Sequence, residues 1–456
     1  MAGPTGRHGR ATTARQWGGL VGAVLAAGWL VACASGGGGR PPRGEEEEPR
    51  PGMRPAPRKV RPGLSVLLDD SIALIAGKRV ALVTNQTGVD EKGRSAVDLL
   101  AADPRAVRAK VQLVRLFAPE HGVRGTADRP NLPDERDEKT GLVVHSLYQR
   151  TTIAPPDSLL DGVDVLVVDL QDIGTRTWTY VGVVLYAMQA GERRNIPVVV
   201  LDRPNPITGA RTEGALLDSA LANPAYPTGS NRTNGFALAP MPLRHGLTMG
   251  ELARLFHAQL KLGTRLTVVP MQNWRRAMWF DETDLPWVRP SPNMPSVASA
   301  LLYPALVPFE ASNVSVGRGT DLPFQRFGAS WLDAPRVARL LEDLNMTGVR
   351  FRTERVTPEQ PGDGKFAGRP IPAIRIEIED RERVQPARIG AAILWALHRV
   401  HADSLRITPA GFDLRMGSAR MREALRAGGD PDAVIDRQLP AVIAFEREAR
   451  RIHLYR

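Results

Sequence analysis

One cysteine, Cys33, is all that the 456 residues contain, so no disulfide can form within a monomer. The sequence has no G-x-G-x-x-G after a strand, no Walker A sequence, no H-E-x-x-H, no C-x-x-C and no G-x-S-x-G. Those absences set aside dinucleotide, P-loop, zinc-peptidase, dithiol and nucleophile-elbow chemistry. A nucleic-acid partner is disfavoured as well. The net charge is +11, but the first 61 residues hold ten Arg or Lys against four Glu, leaving about +5 for the rest. So small an excess over so large a body gives no electrostatic footprint for DNA or RNA.

Long apolar runs are also scarce, and the one present lies near the N-terminus. "WGGLVGAVLAAGWLVA" follows Arg7, Arg10 and Arg15 and ends at Ala32–Cys33. It is short and Gly-rich for a membrane span and fits an export signal. "LVAC" is similar to a bacterial lipobox, which makes residues 1–33 a lipoprotein signal peptide and Cys33 the lipidation site. Ala34, in place of an aspartate, matches outer-membrane sorting. Residues 34–62 are Gly-, Pro- and charge-rich without apolar periodicity, the composition of a tether. The expectation is a body anchored in the cell envelope through a lipidated N-terminus, facing the periplasm.

The body starts with a repeated pattern. "KRVALVTN", "VQLVRLFAP", "GLVVHSLY", "DVLVVDLQ" and "IPVVVLDRP" are short β-branched runs, separated by helix-compatible stretches. Near-continuous apolar runs mark strands buried on both faces. The alternation predicts an α/β fold: a Rossmann-like, mostly parallel layered sheet domain over 63–270. A smaller α+β domain is expected over 271–456, beginning with a loop-rich aromatic tract. Thr248 and Glu251 have capping-box spacing before a helix.

Polar clusters follow each strand: "TNQTG", "PEHG", "SLY", "DLQDIGTR" and "DRPNP". In open α/β sheets the carboxyl ends of strands form the ligand crevice. Glu120, Asp169, Asp172, Asp202 and Glu310 therefore converge as candidates. A pair of carboxyl groups suffices for glycoside hydrolysis, one protonating the leaving oxygen and one serving water or the anomeric carbon. Each residue also has a structural reading. Glu120 can cap a turn, Asp169 and Asp172 can cap the following helix, and Asp202 can fix its own turn. His121, His145 and His245 are site candidates, while His257, His398 and His401 sit in helices. Trp178, Trp279 and Trp287 could stack on sugars, and Arg176, Arg203, Arg289 and Arg318 could clamp a carboxylate.

Taken in order, "VTNQTG", "FAPEHGVRG", "SLY", "DVLVVDLQDIGTRTWTY", "LDRPNPI", "MPLRHGLTMGELA", "PSPNMPS", "YPALVPFEASNVSVGRGTDLPFQRFGASW" and "FDLRMGS" resemble one family. It is that of the NamZ-type exo-β-N-acetylmuramidases, glycoside hydrolase family 171, formerly a bacterial domain of unknown function. The resemblance covers residues 63–456. It implies release of N-acetylmuramic acid from the non-reducing end of peptidoglycan fragments, without cofactor or metal, in a cleft between two domains. It also implies Glu120 as catalytic acid and Glu310 as second carboxylate. Asn85, His121, Tyr148, Asp172, Arg176, Asn313 and Arg318 are the expected substrate contacts. One departure stands out: in many members of that family a Cys-Gly-Gly-type stretch precedes the strand matched by "AIRIEIED", where this chain reads "KFAGRPIPAIRI" without a cysteine. The competing expectation is an envelope lipoprotein that binds cell-wall sugars without cleaving them.

Overall fold

The computed structural model describes residues 59–125, 133–147, 153–225 and 235–456. Its centre is a seven-stranded sheet. The strands are β1 (Arg79–Thr84), β2 (Gln112–Ala118), β3 (Glu135–Arg136), β4 (Val143–Ser146), β5 (Val165–Asp169), β6 (Val198–Leu201) and β7 (Leu266–Val269), in spatial order β3-β4-β2-β1-β5-β6-β7. All neighbours run parallel except the short edge strand β3. Without β3 this is the doubly wound Rossmann order, whose switch point lies between β1 and β5. Each expected strand forms, and "RLTVVPM" supplies β7.

Side chains alternate between two cores. Ala81, Val83, Phe117, Leu166, Val168, Val198 and Val200 face one, and Val80, Leu82, Leu116, Val165, Val167 and Val199 face the other. Burial on both faces explains why the runs looked continuously apolar. The second face is covered by α1 (Gly63–Asp70), α2 (Ala96–Ala102) and α3 (Pro104–Arg108). The first is covered by α4 (Tyr180–Arg193) and α5 (Met249–Gln259). At the start of α5, Thr248 and Glu251 make the expected capping box.

Beyond β7 the chain is more helical than its aromatic, Pro-rich sequence suggests. Within the tract expected to be loops lies α6 (Val297–Leu306), followed directly by a 3-10 turn, Val307–Ala311. Pro304 inside α6 removes a backbone donor, which explains why the helical pattern is hard to read. Then come β8 (Arg326–Gly328), α7 (Ala334–Asp343), β9 (Val349–Val356), β10 (Ile371–Ile378), α8 (Pro386–His401), α9 (Pro409–Met416), α10 (Arg420–Arg426) and α11 (Pro431–Ala449). Strands β8, β10 and β9 form a small antiparallel sheet. The first core is continuous from Ala81 to Ala449, so the C-terminal region packs on the same face of the main sheet as α4. No helix among the described residues is long and apolar enough to cross a membrane.

Candidate active site

The switch point is filled. Arg203 reaches over from β6 and gives Nε and Nη2 to the two carboxylate oxygens of Asp169, at 2.5 and 2.8 Å. Its Nη2 also bonds the Val89 carbonyl, and Gln171 bonds the carbonyls of Asp172 and Pro204. Only about 10 Å³ remains open there. A dinucleotide has no room, in keeping with the missing glycine fingerprint.

One strand away, a cavity of about 130 Å³ stays open. From the sheet come Glu120 and His121, after β2, and Thr177, Trp178 and Thr179, before α4. From the C-terminal region come Tyr303 on α6, Glu310 on the 3-10 turn, Arg318 and Arg415. The "PEHG" turn explains how β2 delivers its acid. Gly122 N–H bonds the Pro119 carbonyl at 3.3 Å, and His121 adopts a left-handed φ of 77° with Gly122 at 76°. For a non-glycine residue that conformation is sparsely populated and persists where surrounding structure imposes it. The chain thus reverses within two residues, placing Glu120 and His121 at the cavity wall. The Glu120 carbonyl lies 3.5 Å from the Tyr180 hydroxyl, which bonds the Pro290 carbonyl at 2.7 Å.

Opposite stands a charged cluster. Arg318 directs Nε and Nη2 to Glu310 Oε1, at 2.8 and 2.5 Å. Arg415 Nη2 lies 3.5 Å from Glu310 Oε2. Burial opposes the charge on Arg318, but Glu310 outweighs it and the guanidinium ends above its ordinary range. Burial and then Glu310 push the Tyr303 phenol up, so it acts only as a neutral hydrogen-bonding wall. The Glu310 turn is clamped from behind. Lys365 Nζ donates to the carbonyls of Phe309, Glu310 and Val314, at 3.2, 3.0 and 3.0 Å. Lys365 belongs to the "KFAGRPIPAIRI" segment. That segment holds the site through this lysine.

Of the expected site residues, Glu120, His121, Glu310 and Arg318 line this cavity. Trp178 lines it as well, and the other expected contacts among the described residues are engaged elsewhere. Asn85 Oδ1 accepts from the amide and hydroxyl of Thr87. Asp172 is buried, accepting from the Gly174 amide, with His245 Nε2 at 3.2 Å. Asn313 is bound into the backbone at Ser404 and Arg406. Arg176 is buried and gives its donors to the carbonyls of Phe236, Leu414 and Arg415. With no carboxylate partner, burial pushes its guanidinium down to about 9. Tyr148, like Cys33, lies outside the described residues.

Other expectations resolve into structure. Neither Asp169 nor Asp172 caps α4, whose start at Thr179 has no side-chain cap. Asp202 does fix its turn, accepting from the amides of Arg203 and Gly250. It also binds Thr248 and Tyr455. His145 pairs with Asp134 at 2.7 Å. Trp279 is buried with Arg381 over its ring, Trp287 packs on Phe280, and the Arg289 carbonyl accepts from Gln86. Arg415 and Tyr303 went unnoticed among the candidates. Arg415 sits in "FDLRMGS", but nothing within that stretch shows that it faces Glu310. A larger hollow of about 590 Å³ beside Trp395 and Met346 is lined by Asp430, Asp432 and Arg388, and there Arg388 is ion-paired with Asp432 on the surface of the C-terminal helices. No group of three His, Cys, Asp or Glu able to hold a metal occurs among the described residues.

Comparison with known proteins matches the chain to one family. Sequence profiles for the N-terminal and C-terminal parts of exo-beta-N-acetylmuramidase NamZ match residues 80–298 and 301–455. A peptidoglycan beta-N-acetylmuramidase NamZ of Bacillus subtilis is 36% identical over 399 residues, covering 87% of this chain and 92% of that protein. A crystal structure of a DUF1343 family protein from Bacteroides fragilis superposes with a TM-score of 0.77 at 32% identity. It covers 88% of this chain and all of the other. A second DUF1343 structure from the same organism gives 0.66 at 26% identity, covering 88% and 99%.

Proposed function

The chain belongs to the NamZ family of exo-beta-N-acetylmuramidases, and from that premise we propose how its cavity works. The protein is a glycosidase that releases N-acetylmuramic acid from the non-reducing end of peptidoglycan fragments. Glu120 is the acid that protonates the bridging oxygen as the glycosidic bond breaks. The oxygen leaves on the second sugar as a hydroxyl, and water adds to the anomeric carbon, its released proton returning to the carboxyl pair to restore the acid. Glu310 is the second carboxylate, facing the positive charge that develops at that carbon. His121 and Arg318 complete the wall around the bound sugar.

The observation that carries this reading is that Glu120 and Glu310, far apart in sequence, line one cavity in a fold whose usual crevice is plugged. Incubating the purified protein with the disaccharide of N-acetylmuramic acid and N-acetylglucosamine tests it. Both monosaccharides should appear in equal amounts. Saturable binding without release would leave a sugar-binding lipoprotein.

The site of action is a separate proposal, supported by sequence alone. The lipobox-like "LVAC" and the tether after it favour attachment of Cys33 to an envelope membrane, the outer one where two exist. Cys33→Ser should move the protein from the membrane fraction to the soluble fraction. Unchanged fractionation would refute the anchor.

A further inference from the structure

We propose that Arg415 recognises the substrate's carboxylate, the lactyl acid that distinguishes a muramic acid from a glucosamine. This rests on the muramidase reading and adds to it a residue that sets specificity.

A carboxylate in a half-buried site calls for a guanidinium with donors to offer, since two parallel N–H groups match its two oxygens. Among the described residues the cavity is lined by two guanidinium groups. Arg318 is committed, with Nε and Nη2 both on Glu310 Oε1. Arg415 is not committed in the same way. It donates Nη1 to the Gly411 carbonyl at 3.1 Å, while its Nη2 stands 3.5 Å from Glu310 Oε2. That separation is an ion-pair distance beyond a well-formed hydrogen bond. Of the two arginine contacts on Glu310, the looser is therefore that of Arg415.

Arg415 is also fixed in place. It lies in the last turn of α9, which Gly417 ends with a left-handed φ of 97° and an amide bond to the Asp413 carbonyl. A β-carbon at Gly417 would come within 2.6 Å of the Leu216 carbonyl, so the chain passes too close there for a side chain. The guanidinium of Arg415 lies 5.2 Å from the centre of the Phe236 ring. Buried Arg176 donates to the carbonyls of Leu414 and Arg415, at 3.1 and 2.8 Å. Burying a cation without a counter-charge is unfavourable, and here it serves to pin the backbone that carries Arg415. A pre-positioned fork loses little freedom when it meets its ligand.

When the lactyl carboxylate docks, it draws Arg415 from its long contact with Glu310 and leaves Oε2 facing the sugar. A sugar without the acid leaves that contact in place.

Hydrolysis of an aryl β-N-acetylmuramide is to be compared with that of its lactyl methyl ester, in the wild type and in Arg415→Met and Arg415→Lys. The wild type should favour the free acid by roughly 100-fold in kcat/KM, the scale of a lost charge-assisted pairing. Arg415→Met should bring that ratio close to one, and Arg415→Lys should keep part of it. A ratio unchanged in Arg415→Met overturns the proposal. An equal loss on both substrates also overturns it, because Arg415 would then act only by holding Glu310. If the wild type turns over neither substrate, the muramidase reading fails on its own. Calorimetric binding of free N-acetylmuramic acid against its methyl ester still reads the same ratio and decides for or against Arg415.

Discussion

Two arginine–carboxylate pairs in this molecule do opposite jobs. Arg203 and Asp169 are 4% and 0% exposed, and they close the crevice where the doubly wound topology would otherwise admit a ligand. Arg318 and Glu310 are 23% and 14% exposed and line an open cavity beside a second arginine. The bond chemistry is nearly the same, so chemistry does not separate plug from site. The difference is the partner count. At the switch point the two charges are paired through both carboxylate oxygens, and Arg203 Nη2 also bonds the Val89 carbonyl. In the cavity one cation is left loosely engaged beside an acid on the opposite wall. A Rossmann-like topology offers several crevices along the carboxyl edge, and side-chain pairing decides which of them stays usable.

The largest expected effect separates the regions by activity. Glu120→Gln removes the proton donor while keeping shape, so kcat on the muramic acid–glucosamine disaccharide should fall by roughly 1000-fold. Thermal stability should hardly change, because Glu120 is a partly exposed residue on a turn. Retained turnover in Glu120→Gln would move the acid to another residue and remove the chemical half of the contrast.

Next comes the plug. Arg203→Met leaves Asp169 buried without its partner. Burial already holds that carboxyl above its ordinary range, with Arg203 pulling the other way. Breaking such a pair from one side costs about 3–5 kcal/mol, readable as a lowered denaturation midpoint. Turnover per folded molecule should stay within a factor of about two of wild type, since effects at separate sites add independently. A collapse of turnover with stability intact would mean that the switch point is itself a working site.

The contrast was only half visible in the sequence. Parallel strands declare themselves through runs such as "DVLVVDLQ", because burial on both faces leaves no polar position. The carboxyl-edge loops follow from topology once the strands are placed. The "PEHG" turn could be read as acid-bearing because glycine and proline mark the reversal on both sides. What could not be read was how each loop residue finds its partner. Asp169 and Glu310 look alike as loop carboxylates, and only the fold pairs one with buried Arg203 and the other with Arg318. Arg176 looked like a carboxylate clamp and instead holds the backbone at Leu414 and Arg415. Helix α6 was hidden by Pro304, whose ring contradicts the helical pattern that burial imposes around it.

The smallest effect sharpens the cavity side, where Lys365 supports Glu310 without lining the cavity. Burial lowers its ammonium pKa, opposed by Asp363 and Glu310, and three backbone carbonyls accept its hydrogen bonds. Those carbonyls belong to the turn that aims Glu310, so the lysine acts through geometry and not by contact with sugar. Lys365→Met keeps the apolar stem and deletes the head. The turn then relaxes and kcat should drop about 10-fold, since small misplacements of a reacting group carry large kinetic penalties. KM should stay near wild type, because the walls that bind the sugar are untouched. Lys365→Arg should recover part of the loss by offering donors to the same carbonyls. A larger rise in KM than fall in kcat would place Lys365 among the residues that touch substrate. No change in either would show that the turn keeps its shape unaided, leaving the ion pair with Arg318 as the only restraint that matters there.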